Sequence, residues 1–385
     1  MKTKVGTSIT KKSFDAGVET AKEATNGLKN PKIGFIFTSV KYNQKELLKG
    51  INSVCPNLNV IGMTSTDCIM TPDGIITSEN GYAGMLVLDD NELKVSIASK
   101  ERGNNPRETG RIIAKEALEK SGKKYSPAAF ALFATPQEEE LYIKGVQDIL
   151  GDIPMFGGGA SDDSLISEWE VLCGQNSYKS GCAIALFYTN KEIKNVFTAG
   201  YEETENFGVI TKIEENNKIC EIDNVPALKK YAEWTGLDSD ELMGQNLMMA
   251  SVRHPLGIKT IQGEAISVKH PIIGNPDYSF IVDSKVTDKI AVIELKSNID
   301  NLINGTVTAL RRIKDNYEPS ALLLIHNCFR KKVINERLDE DFVAIKNMVG
   351  DTPFIVAFSF KEYGQNNHSG AMVNGLSLSF TAFPK

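Results

Sequence analysis

The chain has 385 residues, 41% hydrophobic and 24% charged, the profile of an ordered globular protein rather than a disordered or fibrous one. Its 43 basic and 49 acidic side chains leave a formal charge of −6 with no basic run, which argues against nucleic-acid binding through phosphates. The longest apolar runs, Ala128–Ala134 and Cys182–Tyr188, are short of the roughly 20 residues that span a bilayer, so no membrane span is expected.

The N-terminal residues Met1–Gly6 carry charge without an apolar core and do not read as a secretory signal, so a cytoplasmic protein is expected. A short apolar run at Lys4–Ser8 opens a first module. A helical pattern at Ser13–Leu28, a strand at Ile33–Thr38, a helix at Gln44–Val54, a strand at Val60–Met63, a polar loop and a strand at Tyr82–Leu88 follow.

The order then repeats. Leu93–Ala98 reads as a strand, Pro106–Lys120 as a helix opened by proline, Ala128–Ala134 as a strand and Gln137–Leu150 as a helix closed by Gly151. Pro154–Phe156 reads as a short strand running into a glycine loop, and Trp169–Cys173 with Cys182–Tyr188 as a hairpin-like pair. A third pass runs through Lys289–Leu295, a helix at Ile299–Asn316, a strand at Ala321–His326, a helix at Asp339–Val349 and strands at Phe354–Ser359 and Gly375–Phe380. Pro31, Pro127 and Pro319 each stand just before a middle strand. Those strands lack polar alternation, as strands covered on both faces do.

The expected fold is α/β in the broad sense (mixed α+β), with repeated βαβαβ modules, mixed sheets and two domains. The segment Tyr201–Asp288 breaks the repeat with a strand pair, Phe207–Ile213 and Lys218–Ile222, and a helix at Pro226–Trp234. The domain boundary is therefore placed near Gly200, giving residues 1–200 and 201–385.

Ligands in such sheets bind beyond the strand ends. The first module offers Thr38, Ser39, Thr64, Ser65, Thr66 and Asp67 there, and the second offers Thr135 and Gly157–Asp163. Glycines 157 to 159 let a ligand approach the backbone, and their N–H groups suit an anion nest that would include Gly158, Gly159 and Ser161. The run matches neither dinucleotide-binding nor P-loop spacing. The third module offers Cys328, Arg330 and Glu362, with Asn374 before the last strand. Arg330 and Glu362 stand at corresponding strand ends, and together they would hold a zwitterionic metabolite.

The alternatives are weaker. Lys331 and Lys332 make a surface reading of their neighbour Arg330 credible. Cys328 becomes a nucleophile only if His326 or His368 approaches it. His254, in a His-Pro pair, is the candidate axial haem ligand. The six cysteines and four histidines form no zinc or redox motif, and Glu138-Glu139-Glu140 reads as a solvated helix start.

These residues resemble the FIST domain proteins. Ile61–Thr66 and Phe156–Asp162 are similar to motifs of the FIST N domain, and Gly208–Leu237 looks like the link into the second half. Cys328-Phe329-Arg330, Phe358–Gly364 and Asn374 are similar to the FIST C half. Met63 stands where the family often has cysteine, and Phe360–Gly364 interrupts the family's usual glycine–glutamate pair. The resemblance implies small-ligand sensing, with amino acids or their relatives as suggested ligands and haem in some members; a non-catalytic module whose signal passes to a partner protein or through an oligomer is expected. An enzyme using Cys328 or Glu362 is the competing expectation.

Overall fold

A computed structural model of the chain describes residues 1–164, 167–259, 266–366 and 370–385. Module one holds β1 (Lys2–Ser8), α1 (Ser13–Thr25), β2 (Pro31–Thr38), α2 (Gln44–Val54), β3 (Asn59–Thr64), a hairpin of β4 (Ile69–Thr71) and β5 (Gly74–Ile76), and β6 (Ala83–Asp89). Module two repeats this with β7 (Lys94–Glu101), α3 (Pro106–Ser121), β8 (Ala129–Ala134), α4 (Glu139–Leu150), β9 (Met155–Gly159), the hairpin β10 (Val171–Cys173) and β11 (Asn176–Tyr178), and β12 (Gly181–Tyr188).

Module three starts at β13 (Lys194–Thr198) and is then interrupted. The insert comprises β14 (Glu202–Glu214), β15 (Lys218–Ile222), β16 (Val225–Pro226), α5 (Ala227–Thr235), α6 (Asn246–Ala250), β17 (Leu256–Lys259), β18 (Ile266–Lys269), β19 (Pro271–Gly274), β20 (Phe280–Val282) and β21 (Ala291–Lys296). The module resumes with α7 (Ile299–Lys314), β22 (Pro319–Asn327), α8 (Cys328–Ile334), α9 (Leu338–Val349), β23 (Phe354–Ser359), the hairpin β24 (Glu362–Asn366) and β25 (Gly370–Asn374), and β26 (Leu378–Pro384).

Three sheets share one strand order: β1-β6-β2-β3-β10-β11, β7-β12-β8-β9-β24-β25 and β13-β26-β22-β23-β4-β5. Each is mixed, with its two middle strands parallel (β2 with β3, β8 with β9, β22 with β23). Each module also lends its hairpin to a neighbour's sheet, so the modules are interlocked. The expected boundary near Gly200 falls where β13 gives way to the insert, and β4–β5 and β24–β25 tie residues on its two sides together.

Two expectations change here. Lys289–Leu295 is not the first strand of module three: β21 sits in the insert's own sheet beside β14 and β17, and β13 pairs with β26 instead. Trp169–Cys173 and Cys182–Tyr188 do not form a hairpin. β10 pairs with β11 and β3, while β12 lies between β7 and β8.

The uniform apolarity of the middle strands has a direct cause. Ile33, Phe35 and Phe37 on β2, Ala129, Ala131 and Phe133 on β8, and Ala321, Leu323 and Ile325 on β22 point into one shared core. Phe35 lies 5.5 Å from Phe383 and 6.3 Å from Phe156 there, joining all three modules. Alternate residues pack outward against the helices: Ile36 toward α1 and α2, Phe130 and Leu132 toward α3 and α4, Leu322 and Leu324 toward α7 and α9. Among the described residues, no helix is long and apolar enough to cross a membrane.

Helices α3 and α4 touch through glycine. A β-carbon on Gly145 would lie 1.9 Å from Arg107 O, so the helices would have to separate. Gly145→Ala is therefore expected to destabilise the protein by about 1–3 kcal/mol, the usual range for overpacking. Urea denaturation reads this directly, and a loss within experimental error would contradict the close approach.

Candidate functional site

The strand ends of the three modules meet in a sealed polar knot. Ser65 Oγ accepts a hydrogen bond from Phe358 N at 2.8 Å and donates to Cys68 O at 3.0 Å. Thr66 Oγ1 donates to Ser161 Oγ at 2.8 Å, and Ser161 Oγ donates to Phe358 O at 2.5 Å. Thr64 Oγ1 accepts from Glu170 N at 3.0 Å. Thr64, Ser65, Thr66 and Ser161 are fully buried, and these bonds join the modules to one another.

The glycine run does not form a loop. Strand β9 extends through Gly159, whose N–H donates to Lys361 O at 2.7 Å while its carbonyl accepts from Phe360 N at 3.0 Å. Gly158 faces Glu362 in the pairing of β9 with β24. The ladder thus takes up backbone groups expected to form an anion nest. Glycine is needed because side chains do not fit: a β-carbon on Gly158 would lie 2.8 Å from Ile325 Cγ2.

The third-module residues are placed differently from the expected pocket. Arg330 is fully buried on α8 and makes no ion pair with Glu362. Its Nη1 donates to Ala199 O at 2.5 Å, its Nη2 to Leu302 O at 3.0 Å, and its guanidinium lies 5.7 Å from the Tyr201 ring centroid. Glu362 accepts from Ser359 Oγ at 2.6 Å, Asn327 Nδ2 at 3.1 Å and Ser377 N at 2.9 Å. Burial outweighs these three bonds and pushes its pKa up to about 8.

Cys328 is equally sealed, and burial pushes its thiol well above its ordinary value. Lys331 is not a surface residue: it is 4% exposed, with Nζ 2.6 Å from Asp67 Oδ2. Asn374 accepts from Ser267 Oγ at 3.2 Å and lines two small clefts of about 210 Å³ each.

A larger cleft, about 440 Å³, opens between the core and the insert. The start of α4 (Gln137–Leu141), Trp169, Phe360 and Lys361 form one side, and Asn217, Val282, Asp283 and Ser284 of the insert form the other. Glu139 is 1% exposed, and its Oε2 lies 3.6 Å from Lys361 Nζ. Burial raises the Glu139 pKa against the pull of Lys361. Burial works against the Lys361 ammonium, but Glu139, Asp283 and Glu140 outweigh it and raise its pKa. Gln137, at the lip, has φ of 99°, a conformation that side chains other than glycine rarely adopt.

The solvated reading of Glu139 was therefore mistaken, and its signal was present in the sequence. Buried Tyr142, Ile143 and Val146 lie three, four and seven residues further along α4, which puts Glu139 on the helix's inward stripe. No comparable pattern marks Lys361 or Trp169.

Family models of the FIST N domain and the FIST C domain match residues 32–225 and 227–365. The chain belongs to the FIST family. FIST domains are sensory domains of signalling proteins, to which small-ligand binding is ascribed. No curated relative matches the sequence. A crystal structure of cyanuric acid hydrolase from A. caulinodans is similar at 11% identity and a TM-score of 0.34, over 100% of this chain and 99% of that one.

In this FIST chain the two N-domain motif segments are the ends of β3 and β9, where they build the knot rather than a cavity wall. Residues 360 and 361 of the C-domain segment reach the large cleft. Haem, implied by the family resemblance, finds no axial ligand in that cleft: among the described residues none of those lining it is a histidine. His326 and His270 are buried, with His270 Nε2 2.8 Å from Met248 O. His254 lies outside the cleft with Nδ1 2.9 Å from Glu294 Oε1. His368 lies outside the described residues.

Proposed function

We propose that the chain is a non-catalytic, cytosolic sensor of a small polar metabolite, an amino acid or a close relative, which occupies the 440 Å³ cleft and whose binding is read by a signalling partner protein. The observation that carries this reading is the buried Glu139–Lys361 pair in the wall of a cleft shared by the threefold core and the insert. The volume suits a small metabolite. A ligand there touches both bodies, so its binding shifts how the insert sits on the core, and that is a change a partner can read.

The sequence-chosen residues take supporting roles in this proposal. Thr64, Ser65, Gly158, Gly159, Ser161, Cys328, Arg330 and Glu362 hold the frame behind the cleft, and Asn374 borders the neighbouring ones. The enzyme alternative is disfavoured by the sealed, protonated Cys328 thiol, since the thiolate is the nucleophile.

A thermal-shift screen against amino acids and related metabolites tests the proposal. A ligand at a hundred times its dissociation constant stabilises the folded chain by about 2.7 kcal/mol. Lys361→Met is expected to reduce the affinity of any hit at least tenfold. Unchanged affinity in that variant would show that the cleft is not the site, and turnover of the hit would revive the enzyme.

A further inference from the structure

Four apolar side chains line the large cleft and keep part of their surface open. Leu141 on α4, Phe360 in the turn between β23 and β24 and Ile272 on the insert's β19 are half-buried, and Trp169, just before β10, is 7% exposed. Two belong to the second module, one to the third and one to the insert. Apolar surface left in water costs free energy in proportion to its area, and a concave apolar wall is where a ligand's own apolar surface gains most.

The wall is already built in the free protein. The rings of Trp169 and Phe360 stand 5.6 Å apart, tilted by 53°. Phe329 of α8 meets Phe360 edge-on at 5.5 Å, and the insert's His270 ring meets Phe329 at 4.9 Å. Tilted and edge-on contacts are favourable ring geometries. Phe360 is thus fixed between two rings, and a fixed wall spares a ligand the entropy of ordering it. Charges of both signs line the same cleft, Glu140, Asp283, Lys285 and Lys361 among them, so a zwitterionic head finds partners there. The volume of about 440 Å³ exceeds what such a head alone would fill and falls within the roughly 300–1,000 Å³ of ordinary ligand pockets.

We propose that the cleft selects amino acids by a bulky apolar side chain, which lies against Leu141, Trp169, Ile272 and Phe360 while the charged end stays with the polar residues of the same walls. Ile272 belongs to the insert and the other three to the core, so such a side chain packs against both bodies. The inference rests on the reading of the cleft as the ligand site, and it narrows the ligand from amino acids in general to those of the leucine and phenylalanine kind.

Calorimetry on the full chain with alanine, serine, glutamate, leucine and phenylalanine tests it. Leucine or phenylalanine is expected to bind at least tenfold tighter than the other three, the effect of burying a side chain of that size. The chain has two tryptophans, Trp169 and Trp234, and Trp234 does not line the cleft. In Trp234→Phe the remaining emission belongs to Trp169, and it should shift as the bulky amino acid saturates the protein. Phe360→Ser should weaken leucine and phenylalanine at least tenfold. Ile272→Ser, on the insert's side, should weaken them at least threefold, and it keeps the test open if Phe360→Ser fails to fold. If alanine, serine or glutamate binds as tightly as the bulky pair, and Lys361→Met weakens it, the apolar preference is wrong while the cleft stands. If leucine or phenylalanine binds without moving the Trp169 emission, or binds the folded wall variants as it binds the unmodified chain, the side chain lies elsewhere and the proposal is overturned. Failure of all five to bind overturns both the preference and the cleft.

Discussion

Arg330→Ala is expected to lower the unfolding free energy by about 3–5 kcal/mol, the range for truncating a large, fully buried side chain that leaves a cavity and strands hydrogen-bond partners. The side chain is fully buried and is among the largest that are. Its removal strips the donor from Ala199 O, at about 1–3 kcal/mol for a carbonyl left unpaired, and a second donor from Leu302 O, which keeps its α7 helix bond. It also leaves a cavity beside Gly305, whose β-carbon would stand only 3.4 Å from Nη2. Arg330→Met keeps most of the volume and removes the charge, so it should lose less than alanine. Arg330→Lys keeps the charge but cannot present two parallel donors, and should fall between wild type and alanine. Because Ala199 marks the point where β13 leads into the insert, limited proteolysis near Gly200 should accelerate in the alanine variant. Urea unfolding curves for alanine and wild type that superimpose would show that the clamp contributes nothing.

The order of helices and strands was legible because its signal is local. Alternate burial against a shared core and against helices makes β2, β8 and β22 uniformly apolar, and Pro106 and Asn105 mark the start of α3, where Asn105 accepts from Glu108 N. Exchange of hairpins between modules was not legible. Strands β4, β5, β10 and β11 are three residues long, and their pairing is decided by partners far away in the chain. The insert hid β13 for a related reason. Lys289–Leu295 is a strand directly before α7, as the repeat demands, but it serves the insert's sheet, and no short-range pattern records that.

Site residues were misread where residue type was taken as a guide to exposure. Arg330 and Glu362 were expected to pair because their charges are opposite. Each instead bonds groups nearer to it: Arg330 gives both Nη groups to carbonyls while its Nε stays without a partner, and Glu362 accepts from three donors. Glu139 illustrates the reverse case. Its place on the inward stripe of α4 was readable, while Lys361, the partner that makes its burial tolerable, stands 222 residues away.

Stability of the folded chain is expected to fall between pH 6.5 and 8, with Glu362 as the cause. Its pKa rises from an ordinary 4.5 to about 8, because burial outweighs the hydrogen bonds from Ser359, Ser377 and Asn327. A raised acid keeps its proton in the folded state after the unfolded chain has released it. Its effect is therefore absent at low pH, and stability declines as pH climbs from about 4.5 through 8. Other buried groups are shifted too, in both directions, Glu139 and Asp341 upward and His270 and His326 downward. Asp341, raised to about 6 by burial, removes stability between its ordinary 3.8 and 6. His326, lowered to about 3 by burial and by Arg330, adds stability as pH rises from 3 to 6.5. Of Glu362, Asp341 and His326, Glu362 is the one still titrating above pH 6.5. The loss over that window is about 1.5–2 kcal/mol, from one proton at 1.36 kcal/mol per pH unit. Glu362→Gln should abolish this slope. The amide nitrogen would face existing donors, which lowers the variant's stability by an amount independent of pH, so its gap to wild type narrows as pH rises, and the slope is the quantity to read rather than the level. Urea unfolding at intervals from pH 6.5 to 8 provides it. A wild-type curve flat across the window, or an equal slope in the glutamine variant, would place the titrating group elsewhere.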